Sequence, residues 1–330
     1  MIRRRRLVFS AGMGPLATPL PGLAQPAQGV RRIGYLSLSK STNKLAQATR
    51  SLTREALRRV GWEEGKNLWI ERRYAEGDAD RLDALAEELV RLDVELIYAS
   101  LNAPALAAKR ATTKIPIVVS GATLPVEIGL IDSLAHPGGN VTGTAAPGAE
   151  TAAKSVQILR EAVPGLTRLA VLFNPTAATA QSFNAARARA AAALGMTMHT
   201  FPVTRADDVP TALEQIAASR AQMLIVNNDG TIESRLRDIT NFAIEHRILS
   251  IGVVTLFTSV GGALYYGSNL QEIIERSASY VDRILRGAKP ADLPVEEPTH
   301  FDLIINLKTM RQIGIKVPQS LLVRATEVIQ

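Results

Sequence analysis

The sequence predicts an α/β fold of two similar lobes, and three observations lead to it. The chain has 330 residues, which exceeds the roughly 100–200 residues that one domain usually holds. Short apolar strands alternate with amphipathic helices, the pattern of parallel sheets covered by helices on both faces. A similar series of strands and helices recurs about 130 residues further along, as expected of one structural unit used twice.

The first series starts with a strand at 32–36 and a helix that ends near Val60, where Gly61 suits a helix terminus. The helix predicted at 78–92 places Leu82, Leu85 and Leu89 on one face. The remaining predicted elements are strands at 67–74, 94–99 and 115–119 and a helix at 104–111.

The second series repeats this order. Its first strand, at 168–173, is followed by a helix at 177–194, which Gly195 closes as Gly61 closes the earlier helix. Further strands are predicted at 222–226 and 247–251. The two series match by pattern more than by identity, and together they predict two Rossmann-like lobes with parallel sheets.

Turn-rich stretches divide the chain, and they predict a multi-strand hinge with crossings near 136–148, 261–267 and 289–294. The predicted division is a signal peptide at 1–24, a first lobe at 31–143 plus about 267–292, and a second lobe at 144–266 plus about 295–330.

The charge pattern argues against a nucleic-acid partner. The formal net charge is +7, but Arg3, Arg4, Arg5 and Arg6 are the only charges in the first 24 residues. The other basic residues are mostly mixed with Asp and Glu on predicted helices, as expected of solvated helix faces. No apolar run reaches the ~18–20 residues that span a bilayer, so no membrane insertion is expected.

The N-terminus reads as an export segment. A basic stretch precedes a mostly apolar or small stretch at 7–23, and Gly22-Leu23-Ala24 offers the small residues that a signal peptidase reads. Arg4-Arg5-Arg6-Leu7-Val8 resembles a twin-arginine signal, while a Sec signal and a disordered basic tail are the alternatives. The chain has no cysteine, so it cannot carry a lipidated-cysteine anchor. We therefore expect a soluble periplasmic protein with a cleavable signal peptide.

Polar residues follow the predicted strands at the edge where parallel sheets bind ligands. The predicted ligand-binding residues are Ser37, Ser39, Asn102, Thr123, Asn174, Asn228, Asp229 and Tyr266. Asp229 is the carboxylate expected to pair with a ligand ammonium, with a helix N-cap as its alternative role. Ser37 and Ser39 can equally be caps or polar loop residues, and Tyr266 can be a cleft wall or hinge packing.

The sequence argues against an enzyme. It contains no Gly-x-Ser-x-Gly elbow, no phosphate-binding loop ending in Lys-Ser/Thr and no Gly-x-Gly-x-x-Gly. The histidines stand far apart, at 136, 199, 246 and 300, and no cluster has the spacing of metal ligands. We expect no catalytic residue, no cofactor and no metal. No helix-turn-helix precedes the predicted core, which argues against a repressor.

Several stretches carry a resemblance to a known family. The more specific ones are Pro-Gly-Gly-Asn-Val-Thr-Gly at 137–143 and Gly-Ala-Lys-Pro-Ala-Asp-Leu-Pro at 287–294. The other stretches are 82–99, 109–118, 266–270 and 305–309. Together they resemble the ABC transporter substrate-binding proteins related to tryptophan- and tyrosine-binding proteins. The resemblance covers nearly all of residues 31–330.

This resemblance implies a type I periplasmic-binding-protein-like fold. Separately, we expect the protein to be a monomer. The resemblance also implies a small-molecule solute between the lobes, with an ABC permease and its ATPase as partners. Asn102 and Thr123 match positions that hold ligand in the family, and Asp229 matches an acidic position that meets an amino group. Relatives commonly have Thr-Asp-Pro where this chain has Thr-Leu-Pro at 123–125, and Asp-Asn where it has Asn228-Asp229. The alternative function is a periplasmic sensor that presents the solute to a membrane receptor.

Overall fold

The computed structural model describes residues 29–42, 44–146, 148–227 and 230–330. The predicted signal peptide lies outside these residues. The strands are β1 (Arg31–Ser37), β2 (Leu68–Tyr74), β3 (Leu96–Ser100), β4 (Ile117–Thr123), β5 (Val141–Ala146), β6 (Arg168–Phe173), β7 (Thr197–Pro202), β8 (Met223–Val226), β9 (Leu249–Gly252), β10 (Leu264–Ser268), β11 (Phe301–Asn306) and β12 (Glu327–Ile329).

The helices connect these strands. They are α1 (Lys44–Arg59), α2 (Leu82–Arg91), α3 (Asn102–Ala111), α4 (Ala149–Ala162), α5 (Ala180–Ala193), α6 (Val209–Ala218), α7 (Gly230–Glu233), α8 (Leu236–Glu245), α9 (Leu256–Ser259), α10 (Leu270–Leu285), α11 (Leu307–Gln312) and α12 (Gln319–Arg324). Short 3₁₀ turns at Ala79–Arg81, Ala206–Asp208 and Pro290–Asp292 precede α2, α6 and the return to β11. Among these described helices, none is long and apolar enough to cross a membrane.

Two sheets form the two lobes, and the predicted α/β class is confirmed. In the described part of the chain, the first sheet has the order β2-β1-β3-β4-β5 and the second β12-β11-β10-β9-β8-β6-β7. The strand pairs are parallel except β10 with β11, which is antiparallel. Apolar clusters cover both faces of each sheet, so each lobe has its own core.

Local chemistry explains several element ends. Gly61 takes φ +95° just after α1, a left-handed conformation that glycine adopts without strain. The side chain of Asp78 accepts a hydrogen bond from the Asp80 amide at the start of the turn before α2. The side chain of Asn269 accepts one from the Glu272 amide at 2.8 Å and caps α10.

The chain passes between the lobes along neighbouring segments. It leaves the first sheet after β5, and α10 returns from the second sheet to pack against the first through Ile274, Ala278 and Val281. Thr144 of β5 bridges to Glu296, on the segment that leads back to β11. The exact limits of the two predicted lobes stay a prediction.

Glu272 of α10 connects this helix by hydrogen bonds to the segment that leads into β11. Its carboxylate accepts hydrogen bonds from the backbone amides of Thr299 at 3.2 Å and His300 at 3.0 Å. It also pairs with Arg276 at 2.7 Å. Burial alone would raise the pKa of Glu272, but the hydrogen bonds from Thr299 and His300 outweigh it and lower that pKa to about 2.

The lowered pKa of Glu272 predicts that the contact between these two segments weakens in acid. Because the folded pKa of Glu272 lies below the unfolded value, its stabilisation is complete above the unfolded pKa of about 4.3 and is lost as the pH falls towards 2. The Glu272→Gln variant should have a lower melting temperature at pH 7 and a flatter loss of stability between pH ~4.5 and ~2. Thermal melts across this range test it, and an unaltered pH profile would contradict the assignment.

Candidate functional site

The candidate site lies between the carboxyl ends of the two sheets. There the loop after β4 contacts the second lobe: the Ser182 hydroxyl of α5 donates a hydrogen bond to the Glu127 carboxylate. A Cβ built on Gly148, just before α4, would lie 2.6 Å from Leu124 Cδ2 and 3.1 Å from Phe183 Cε1. The lobes therefore meet closely around Leu124, Gly148 and Phe183.

The loop after β1 brings the two predicted serines together. Ser37 is buried at the end of β1, and its Oγ accepts a hydrogen bond from the Ser39 amide at 3.3 Å. The Ser41 amide of the same loop donates to Glu76 Oε1 at 3.1 Å, beyond the end of β2. These bonds hold the loop in one shape at the edge of the first sheet.

Asn102 and Thr123 form a clamp between two neighbouring strand ends. Asn102 Nδ2 donates to the Thr123 carbonyl at 3.0 Å, and the Thr123 amide donates to Asn102 Oδ1 at 2.8 Å. Asn102 thus satisfies both backbone groups of Thr123 and ties the loop after β3 to the loop after β4. It does so from the first residue of α3, so its side chain is used across the sheet and not as a helix cap.

Two leucines beside the clamp have left-handed backbones, which leucine rarely adopts. Leu101 has φ +69° and Leu124 has φ +50°. Leu101 is 53% exposed although it is apolar. Strained backbone of this kind concentrates at binding sites. Neither residue is among the site candidates predicted from the sequence, because nothing in a leucine's identity indicates such a backbone.

In the second lobe, Asn174 follows β6 and is half-buried. Its Oδ1 accepts hydrogen bonds from the Thr176 amide at 3.0 Å and the Thr176 hydroxyl at 2.8 Å, which shapes the turn before α5. Asn227 follows β8, and its Oδ1 is buried with no hydrogen-bond partner among residues 29–42, 44–146, 148–227 and 230–330. Asn228 and Asp229 lie outside the described residues, so their predicted roles stay predictions.

Tyr266 lies in the middle of β10 and makes packing contacts. Its ring stacks on Phe301 with centroids 5.8 Å apart and an interplanar angle of 18°. It also packs against the core of the second sheet. Burial raises the pKa of Tyr266. These contacts agree with the packing role, and its predicted contact with ligand stays a prediction.

Arg187 on α5 is a site candidate that the sequence analysis missed. Its side chain is only 1% exposed, and burial lowers the pKa of Arg187 to about 10, so the guanidinium is still charged at neutral pH. Helix α5 is mostly alanine, so it lacks the apolar stripe that would have shown which face is buried.

The chemistry of this region is that of binding. It offers amides, hydroxyls and aliphatic walls. Within the described residues, no group of three His, Cys, Asp or Glu side chains is placed to hold a metal ion. Such an arrangement can hold a small polar molecule by hydrogen bonds.

Comparisons with known proteins agree on a family. The profile of a family described as ABC transporter substrate binding protein matches residues 43–329. A tyrosine-binding protein of Clostridioides difficile (strain R20291) is 25% identical over 262 residues, which cover 79% of this chain and 75% of that protein.

Solved structures share the fold. A conserved domain protein from Vibrio cholerae has a TM-score of 0.84 at 27% identity, covering 91% of this chain and 99% of that one. A domain from Streptococcus pneumonia in complex with L-Trp has a TM-score of 0.84 at 22% identity, with the same coverage of both chains. A ligand-free, open substrate-binding protein from Clostridium difficile has a TM-score of 0.69 at 24% identity, covering 91% of this chain and all of that one.

Proposed function

This chain belongs to the family of ABC transporter substrate-binding proteins, and we propose that it captures a small solute between its lobes and delivers it to the permease of an ABC importer. The observation that supports this proposal is that the loops at the carboxyl ends of the two sheets contact each other. The Asn102–Thr123 clamp organises the first, and Ser182 of the second lobe already contacts Glu127 of the first.

We propose an amino acid or a related zwitterion as the solute. In support, a relative is named as a tyrosine-binding protein and a structural neighbour was solved with L-Trp. The predicted contacts from the first lobe are Ser37, Ser39, Asn102 and Thr123, and those from the second are Asn174, Asn228, Asp229 and Tyr266. Asp229 is proposed to pair with the ligand ammonium.

The proposed setting is the periplasm, reached through the signal peptide at 1–24, with the mature protein acting as a soluble monomer. The bound, closed form is proposed to dock on the permease and its ATPase. Ligand contacts to both lobes would favour the closed arrangement, since a ligand shifts the equilibrium towards the state that it binds better.

Thermal-shift screening against the amino acids, followed by calorimetry, tests solute binding directly, because a ligand of the native state raises the melting temperature. Absence of any shift or heat across the panel would count against the proposal. Uptake of the identified solute in cells that lack the permease separates transport from sensing. Uptake that depends on both the protein and the permease supports the importer, whereas a permease-independent response supports the sensor.

Gly148 provides a test of closure. An alanine Cβ there would crowd Leu124 of the other lobe at 2.6 Å, so Gly148→Ala should disfavour the closed form and weaken solute binding about tenfold. Small-angle scattering should also show less compaction on binding. Gly165→Ala is the matched control, since a Cβ at Gly165 meets nothing within 4 Å. Equal affinities in the two variants would argue against closure at this contact.

A further inference from the structure

Arg187 occupies the buried face of α5. Ala191, one turn further along, lies in the same core as Val171 and Ile225 of the second sheet. Phe183, one turn earlier, lies beneath the guanidinium, whose central carbon is 5.7 Å from the ring centroid. Because residues four apart share a helix face, all three side chains lie on the same face of α5.

Few hydrogen bonds and no ion pair from the described residues compensate the burial of the Arg187 guanidinium. Its Nη1 reaches Asn184 Oδ1 at 3.4 Å, and its Nε has no hydrogen-bond partner within the described part of the chain. Among the described residues, none of the arginine–carboxylate ion pairs includes Arg187. A buried charge without a counter-charge is strongly unfavourable, so an anion that bound beside this guanidinium would be stabilised.

The side chain of Arg187 extends towards the N-terminus of α5, since its guanidinium reaches Asn184 and lies over the ring of Phe183, three and four residues earlier. Side chains on a helix lean towards its N-terminus, and the N-terminus of α5 lies at the carboxyl edge of the second sheet, after β6. In that direction Phe183 approaches Gly148, and Ser182 contacts Glu127 of the first lobe. The side chain of Arg187 therefore extends towards the contact between the lobes.

Asn227 adds an independent observation at the same edge. Side chains alternate along a strand, and Ile225 of β8 points into the core that also contains Ala191. Asn227, two residues later, therefore points to the same face of the sheet as Arg187. Its Oδ1 is buried and accepts no hydrogen bond from any residue that the structure describes. An unpaired donor, Arg187 Nε, and an unpaired acceptor, Asn227 Oδ1, thus lie among the described residues on one face of the second sheet, towards the edge that faces the first lobe.

We propose that Arg187 is the receptor for the carboxylate of the solute and that Asn227 Oδ1 accepts a hydrogen bond from an N–H or O–H group of the same molecule. The solute class is then a small carboxylate that bears a hydrogen-bond donor. This inference rests on the proposed function, and it adds the recognition of negative charge to the recognition of the ammonium proposed for Asp229.

Calorimetry with matched acids and amides tests the proposal. Wild-type protein is titrated with each amino acid and with its carboxamide, beginning with L-tyrosine and L-tyrosinamide. The wild type should prefer the acid of the tightest pair by about 10–150-fold. Arg187→Met should abolish that preference. Arg187→Lys keeps the charge but loses the planar fork, and should weaken acid binding about 10–100-fold. Arg189→Met, at an exposed position on the same helix, is the matched control and should bind like wild type.

The melting temperature of the ligand-free protein gives a second readout. If the Arg187 guanidinium serves to bind a ligand, the Arg187→Met substitution should raise the melting temperature of the ligand-free protein by about 3–6 °C, since the substitution removes an uncompensated buried charge. A lower melting temperature together with an unchanged preference for the acid would make Arg187 a structural residue and overturn the proposal. Equal wild-type affinity for acid and amide would also overturn it. A wild type that binds no solute at all would instead defeat the proposed function.

Discussion

The Gly143→Ala variant is expected to lose at least about 3 kcal/mol of stability, enough to impair folding of the first lobe. Gly143 has φ +135°, and a Cβ there would lie 2.1 Å from the carbonyl oxygen of Val119 and 2.8 Å from its amide nitrogen. Both atoms belong to the backbone of β4, which pairs with β5 through Val119 and Gly143. The clash is therefore relieved only by opening the pairing of these strands.

Gly139→Ala is the matched control, because Gly139 belongs to the same turn motif. A Cβ at Gly139 meets nothing within 4 Å, and its φ lies outside the left-handed region. We expect its stability to stay within about 0.5 kcal/mol of wild type. Urea unfolding of both variants measures the difference, and equal midpoints would show that the strand pairing tolerates a side chain at 143.

Removing the Asn102 side chain is expected to affect both stability and binding. Asn102→Ala leaves the Thr123 amide and carbonyl without their partners, which should cost about 1–3 kcal/mol of stability. Because the same two bonds hold the loops after β3 and β4 together, solute affinity should fall about tenfold. Asn102→Asp keeps the acceptor for the amide but places a carboxylate against the Thr123 carbonyl, so it should not restore binding.

Asn140→Ala separates the two effects. Asn140 Nδ2 donates to the Thr112 carbonyl at 3.0 Å and the Ile115 carbonyl at 2.8 Å, at the opposite end of the first sheet. Its loss should lower stability by a similar amount and leave solute affinity unchanged. If both variants weaken binding equally, the Asn102 clamp acts only through general stability. Denaturant unfolding and calorimetry on the same preparations decide between these results.

The polar residues at the strand ends show which parts of the site can be predicted from the sequence. Asn102 and Thr123 were both predicted as ligand residues, since each follows a buried strand. Their bonding to each other was not predicted, because it depends on β3 lying beside β4 in the sheet. Similarly, Ser37 and Ser39 are predicted ligand residues, with a cap or a polar loop as the alternative role, and only the folded loop shows the hydrogen bond between them.

By itself, the sequence predicted the α/β class, the two lobes and a series of strands and helices that recurs along the chain. It could do so because apolar periodicity and turn residues are local properties of the chain. Only the tertiary structure decided that the buried face of an alanine-rich helix carries Arg187, that Leu101 and Leu124 take left-handed backbones, and that Gly143 lies against Val119. Each of these depends on contacts between segments far apart in the chain, and such contacts leave no periodic trace in the sequence.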